Sequence, residues 1–229
     1  MTPGAGLAGA TTSADRLASL RISEIFHSLQ GESTRVGLPT VFVRLTGCPL
    51  RCVWCDSEYA FSGGTRMDID QVLRQVAHYQ CPNVCITGGE PLAQKACLSL
   101  LVRLCDAGYS VSLETSGAID IGQVDPRVVR VMDLKAPGSG EVERNLWSNI
   151  VLLRAGDEIK FVLAGEEDYL WARDRLREHD LAAVCTVLFA AVQGRLDATD
   201  LAAWILRDRL PVRFQLQLHK ILWGAERGR

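Results

Sequence analysis

Two kinds of pattern alternate along this chain. Runs rich in apolar and β-branched residues fall at 40–45, 84–87, 110–114, 128–134, 158–163, 183–189 and 212–218, and these predict strands. Apolar residues recur with helical period over 68–79, 92–107, 166–179 and 200–209. The first helical stretch opens on Asp68 with Gln71 three residues later, the spacing of a capping box. The second repeats Leu98, Leu101 and Leu104 and stops at Gly108, a suitable left-handed cap. Thr199 is the expected cap of the fourth. Strand, helix, strand with short connections implies parallel pairing through crossovers. Six or seven such strands predict an α/β fold, an incomplete TIM-like β/α barrel, with a flatter doubly wound sheet as the alternative. Residues 1–20 carry no such pattern and read as a disordered extension without the basic start and apolar stretch of a signal peptide. Residues 21–229 then form one domain, with no internal repeat or low-complexity linker.

Composition narrows the setting. The 229 residues are 48% hydrophobic and 23% charged, with a net charge of −2. That balance shows no basic footprint for nucleic acid, and no apolar run is long enough to span a bilayer. A cytoplasmic protein with neither nucleic-acid nor membrane partners is expected. Eight cysteines in such a chain argue for thiols and metal ligands over a disulfide framework. Cys85 and Cys185 fall in strand runs, Cys97 and Cys105 in a helical one, and all four read as small buried hydrophobes. Cys81 and Cys85 repeat a C-x3-C spacing, but no third cysteine follows at close range.

The remaining three cysteines carry the chemistry. Cys48, Cys52 and Cys55 follow the first predicted strand in the spacing C-x3-C-x2-C, with Trp54 before the last. Structural zinc is normally closed by four protein ligands, and iron–sulfur clusters usually take four cysteines. Three thiolates from one loop can hold a cubane cluster with one iron left open. A zinc knuckle completed by a distant residue such as His27 or His219 is the alternative. Further polar residues cluster at predicted strand ends: Gly88-Gly89-Glu90-Pro91, Glu114-Thr115-Ser116-Gly117, Asp133-Leu134-Lys135 and His219-Lys220, with Gln193 after the sixth strand. Parallel α/β folds build their active face at the carboxyl ends of strands. Two adjacent glycines there let backbone approach a ligand, and Pro91 suits the first turn of a helix.

The cysteine loop and the Gly-Gly-Glu-Pro turn together resemble the radical S-adenosylmethionine superfamily. Ile25-Phe26-His27-Ser28-Leu29-Gln30-Gly31-Glu32, Phe42 to Cys48, Cys55-Asp56-Ser57, Glu114 to Gly117 and Gln217 to Lys220 narrow the resemblance to the 7-carboxy-7-deazaguanine synthase family, over about residues 21–223. That resemblance implies a lyase converting 6-carboxy-5,6,7,8-tetrahydropterin to 7-carboxy-7-deazaguanine with loss of ammonia, in queuosine and deazapurine biosynthesis. It implies a [4Fe-4S] cluster on Cys48, Cys52 and Cys55, S-adenosylmethionine, Mg2+ at Ser57, a flavodoxin- or ferredoxin-type electron donor and a homodimer. The pterin substrate would meet Gln30, Gly31, Glu32, Arg44, Thr87 and His219, with Arg44 on its carboxylate. S-adenosylmethionine would meet Gly88, Gly89, Glu90, Glu114, Ser116 and Lys135. The 5′-deoxyadenosyl radical, not a side chain, would abstract hydrogen. Two positions depart from the family pattern: Ser57 stands where threonine is usual, and Asp133 where many relatives have serine. Lys160 and Gln193 are secondary candidates, since strand-edge lysines and loop glutamines are common. A glycyl-radical-type activating enzyme and a zinc-stabilised binding module are the alternatives; the Leu-Gln-Gly-Glu entry disfavours the first.

Overall fold

One nine-stranded sheet organises the computed structural model, which describes residues 19–224 and 226–229. Its strands are β1 (Ser19–Leu29), β2 (Pro39–Leu45), β3 (Thr65–Asp68), β4 (Asn83–Gly88), β5 (Ser110–Thr115), β6 (Val129–Asp133), β7 (Glu158–Leu163), β8 (Thr186–Ala191) and β9 (Arg213–Gln215). They lie in the order β3-β1-β2-β4-β5-β6-β7-β8-β9. Every neighbouring pair from β2 to β9 is parallel. β1 runs antiparallel to both β2 and β3. The sheet ends at β3 and β9 without closing, so the barrel is incomplete, as the strand and helix pattern predicted.

The helices are α1 (Ile69–His78), α2 (Ala96–Asp106), α3 (Glu166–Glu178), α4 (Leu181–Val184), α5 (Ala198–Asp208) and α6 (Leu218–Trp223). Among the described residues none is long and apolar enough to cross a membrane. Val72 and Val76 of α1, Leu100, Leu101 and Leu104 of α2, and Tyr169, Ala172 and Leu176 of α3 join the strands in one apolar core. The central strands lose the one-in, one-out alternation: Val84 to Thr87 of β4 and Val187 to Ala190 of β8 are all buried. Parallel strands covered on both faces behave this way. The Asp68–Gln71 capping box forms as spaced, with bonds of 2.7 and 2.8 Å.

Several boundaries differ from the sequence pattern, each for a local reason. The helix expected over 92–107 splits into a 3-10 turn at Pro91–Ala93 and α2, because Gln94 is extended between them. Its side chain bonds the backbone of Arg21 and Thr46, stitching the turn to β1. Asp180 turns left-handed (φ 46°) and starts α4, so β8 begins at Thr186 instead of 183. β9 is only three residues long, and His219 and Lys220 sit on α6 rather than at a strand end. Asp197, not Thr199, caps α5: it is extended and accepts the Thr199 N–H at 2.8 Å. β1 and β3 had no place in the predicted set, because an antiparallel edge carries more polar residues than the central run. Ser19 and Leu20, grouped by pattern with the N-terminal extension, pair with Asp68 and Met67. The rest of that extension, 1–18, lies outside the described residues. Cys85, Cys97 and Cys185 are buried as expected, whereas Cys105 is only half-buried.

The double glycine positions the functional end of the sheet. Gly88 has φ 143°, and a Cβ there would stand 2.2 Å from the Leu45 carbonyl. On Gly89 a Cβ would stand 2.3 Å from the Gly47 carbonyl and 2.7 Å from the Cys48 Cβ. In their place run backbone bonds, Gly89 N–H to Leu45 O at 3.2 Å and Glu90 N–H to Gly47 O at 2.8 Å. The loop after β4 therefore lies against the start of the cysteine loop, backbone to backbone. Gly89→Ala should destabilise the chain by about 1–3 kcal/mol through this clash. Urea unfolding checks it, and an unchanged midpoint would show that the close approach is not a constraint.

Candidate active site

A cavity of about 860 Å³ opens over the carboxyl ends of the parallel strands. That is near the upper end of the range for small-molecule sites. Its wall includes every proposed site residue except Glu90: Cys48, Cys52, Cys55 and Ser57; Gln30, Gly31, Glu32, Arg44, Thr87 and His219; Gly88, Gly89, Glu114, Ser116 and Lys135. Lys160 and Gln193 line it too.

At one end stands the cysteine loop. All three cysteines are free thiols of intermediate exposure. Backbone contacts hold the loop: the Val53 N–H donates to Ser139 O, and the Arg51 N–H to the Glu141 carboxylate. The Arg51 guanidinium folds back onto the carbonyls of Cys48 and Leu50 at 2.8 and 2.6 Å and stacks on Phe61. Burial pushes the Cys48 and Cys52 thiols up, countered at Cys48 by the Leu50 N–H and at Cys52 by the nearby Lys135 ammonium. Among the described residues, no three Cys, His, Asp or Glu side chains converge on one point as a single metal ion requires. Three thiols on one loop, with the Gly88-Gly89 turn beside them in the cavity wall, fit an iron–sulfur cluster. The Ser57 hydroxyl sits 3.8 Å from the Cys55 sulfur.

Glu90 does not line the cavity; its side chain is turned behind the wall. Fully buried, it accepts the Leu92 N–H at 3.0 Å, the Thr115 hydroxyl at 3.0 Å and the Ser116 N–H at 2.7 Å, and the Ser116 hydroxyl as well. Its acceptors are spent binding the end of β4 to the end of β5. The Ser116 hydroxyl is committed to the same carboxylate.

At the other end, β2, β4 and β5 present Arg44, Thr87 and Glu114 side by side; Arg44 and Thr87 are register partners. The Thr87 hydroxyl donates to Glu114 at 2.8 Å and the Gln30 amide to its other oxygen at 3.3 Å. Glu114 thus faces Gln30 and Thr87, the residues expected to meet substrate. Arg44 Nε donates to Glu24 at 2.7 Å, and its guanidinium lies 5.8 Å from the Phe26 and Tyr59 rings. Burial works against its charge, but Tyr59, Glu24 and Glu114 outweigh it and raise its pKa. The Tyr59 hydroxyl donates to Glu24 at 2.7 Å. Glu24 and Tyr59 carry no sequence signal, because neither belongs to a motif.

Between the two ends runs a row of alternating charges. Gln217 donates to Glu32 at 2.6 Å, and the Lys160 ammonium pairs with the other Glu32 oxygen. Lys160 also lies 3.8 Å from Asp133, which accepts from Lys135 at 2.9 Å. Burial raises the Glu32 carboxyl, yet the Lys160 cation, with the Lys160 and Gln217 hydrogen bonds, holds it down to about 2. Burial lowers Lys160 and Lys135, and their carboxylate neighbours reverse this, leaving both raised. His219 stands over Gly31, where a Cβ would meet its ring Nδ1 at 2.2 Å. Lys220 ties α6 to Asp56 in the cysteine loop at 3.0 Å. The loop bearing Glu32 is itself anchored, Ser33 N–H to Gln215 at 3.0 Å and Thr34 N–H to the buried Glu158 at 2.9 Å.

A parallel sheet ending in a three-cysteine loop packed on a glycine turn is radical S-adenosylmethionine architecture, and residues 42–133 match the family model described as the Radical SAM superfamily. The chain is 47% identical over 212 residues to the 7-carboxy-7-deazaguanine synthase of Chlorobaculum tepidum, covering 91% of this chain and 96% of that protein. It is 42% identical over 222 residues to the synthase of Koribacter versatilis, covering 90% and 98%. The crystal structure of QueE from Escherichia coli shares the fold, with a TM-score of 0.74 at 21% identity over 90% of this chain and 96% of that one. The chain belongs to the 7-carboxy-7-deazaguanine synthase family.

Removing the cation beside Glu32 tests the charge row. Because Glu32 is depressed from 4.5 to about 2, its pairing adds stability above pH 4.5 that is lost as pH falls toward 2. Lys160→Met should cost on the order of 3 kcal/mol at neutral pH, and the deficit should shrink over that acid window. Unfolding measured against pH checks this; a deficit independent of pH would mean that the pair is not its source.

Proposed function

We propose that this chain is a ring-contracting lyase that converts 6-carboxy-5,6,7,8-tetrahydropterin to 7-carboxy-7-deazaguanine with loss of ammonia, in deazapurine and queuosine biosynthesis. The observation that carries the reading is one cavity joining the cysteine loop to Gln30, Glu32 and Arg44, in a chain 47% identical to a 7-carboxy-7-deazaguanine synthase. Family membership sets aside the glycyl-radical activating enzyme and the zinc module. When bound, a [4Fe-4S] cluster and S-adenosylmethionine supply reductive cleavage to a 5′-deoxyadenosyl radical, which takes a hydrogen atom from substrate.

The chain's residues orient and enclose. Cys48, Cys52 and Cys55 hold the cluster, and the glycine turn accepts S-adenosylmethionine with Glu114, Ser116 and Lys135. Glu90 supports this end from behind, through Ser116 and Thr115. Arg44 is fixed by Glu24 through Nε, which suits its terminal amino groups to a planar carboxylate. Gln30, Thr87 and the ionised Glu32 offer the donors and acceptors a pterin ring requires, with His219 closing from α6. The Ser57 hydroxyl is a hard oxygen suited to Mg2+, with water and substrate oxygens completing the shell. Eight free thiols support a reducing, cytoplasmic setting, and the electron for reductive cleavage would come from a flavodoxin- or ferredoxin-type donor. We also propose residues 21–229, together with Ser19 and Leu20 of β1, as the catalytic domain, and a homodimer as the assembly.

The test is anaerobic reconstitution with iron and sulfide, then turnover with S-adenosylmethionine, reductant and the carboxytetrahydropterin. Mass spectrometry should find deazaguanine product in excess over S-adenosylmethionine consumed; cofactor loss without product would sink the assignment. Arg44→Lys should raise KM for the pterin about tenfold or more, the loss of a charge-assisted, bidentate contact. Unchanged substrate affinity would remove Arg44 from the carboxylate.

A further inference from the structure

Asp133 stands at a junction that the functional reading leaves unassigned. It is the last residue of β6 and the register partner of Lys160 on β7. One of its oxygens, Oδ2, is shared by two cations, Lys135 at 2.9 Å and Lys160 at 3.8 Å. The other, Oδ1, is buried without a hydrogen-bond partner among the described residues. An unpartnered buried acceptor is unfavourable, so the two ammonium groups are what compensate this carboxylate. They do different work. Lys160 is paired with Glu32 at the substrate end of the cavity. The main chain of Lys135 is pinned by Asn145, N–H to Oδ1 at 2.8 Å and amide to the Lys135 carbonyl at 2.9 Å. Its ammonium is held by Asp133.

We propose that Asp133 is a positioning residue that acts through Lys135, fixing its ammonium to receive the anionic carboxylate of S-adenosylmethionine while keeping it apart from Lys160. The inference rests on the functional reading above and deepens it. Lys135, two residues past the end of β6, and Lys160, within β7, carry like charges that repel, and a carboxylate between them offsets that repulsion. Without it, Lys160 stays on Glu32, and Lys135 loses both its anchor and its shield. A serine at this position would hydrogen-bond one lysine but neutralise neither.

A double-variant cycle decides whether Asp133 acts through Lys135. The S-adenosylmethionine dissociation constant is measured by equilibrium dialysis on anaerobic cluster-loaded protein. The change that S-adenosylmethionine makes in the EPR line shape of the reduced cluster is recorded in parallel. Asp133→Asn should weaken binding about tenfold, equal to one lost charge-assisted contact, and blunt the EPR change. In a Lys135→Met background the same substitution should change binding less than twofold. Equal affinities for native and Asp133→Asn protein overturn the inference, and so do additive losses in the double variant. Should Asp133→Asn lower the melting temperature of the cluster-free chain, Asp133→Glu decides: near-native affinity supports the role, and a tenfold loss at native melting temperature overturns it. Native protein that binds S-adenosylmethionine yet forms no deazaguanine overturns the functional reading and leaves the Asp133 outcome standing.

Discussion

One buried carboxylate holds the active end of this protein together. Glu90 follows the double glycine of β4 and takes hydrogen bonds from its own loop and from Thr115 and Ser116 at the end of β5. Its backbone N–H meanwhile bonds Gly47, at the threshold of the cysteine loop. Three chain segments, two strand ends and the cysteine loop, are therefore fixed against one another through a single residue. A buried charge is tolerable only when its acceptors are filled, and here the filling groups are the neighbouring strand ends. The wall that faces the cavity is braced by hydrogen bonds made behind it.

The electrostatics of the cavity follow a different rule. Where Glu90 is satisfied by neutral donors, Glu32, Lys160, Asp133 and Lys135 compensate one another as ions. Such a row is weak as a source of net stability, since each ion has left water. Its use is directional: it fixes which groups stay charged along the cavity. Glu32 remains an acceptor and the lysines remain donors over the whole neutral range, because burial alone would neutralise them and their neighbours prevent it.

Much of this was legible in the sequence, and the reasons for the rest are specific. The parallel strands were readable because strands covered on both faces are continuously apolar, and the Asp68–Gln71 cap because its chemistry is local. β1 escaped because it mixes polar and apolar residues and is mostly only partly buried. α6 escaped because six residues hold too little period to distinguish a helix from a strand continuation. At the site, motif residues found their places: thiols, glycines, Gln30, Glu32 and Arg44 all meet one cavity. A motif position reveals that a residue matters but not which way its side chain turns, and that of Glu90 turns to Thr115 and Ser116. Glu24 and Tyr59 gave no signal, and neither did the pairing of Gln217 with Glu32, since each rests on a partner distant in sequence.

The two ends of the cavity also differ in how far apart their parts lie along the chain. The cysteine loop and the glycine turn beneath it come from residues 47–90, a stretch a ribosome completes early. The substrate end is closed by contacts across the whole length: Thr34 to Glu158 spans 124 residues, Ser33 to Gln215 spans 182 and Glu32 to Gln217 spans 185. Contacts of such separation form late, after the intervening loop entropy has been overcome. Synthesis from the amino terminus thus exposes the thiols first and seals the pocket last, so a nascent chain is a set of soft metal ligands well before it is an enzyme.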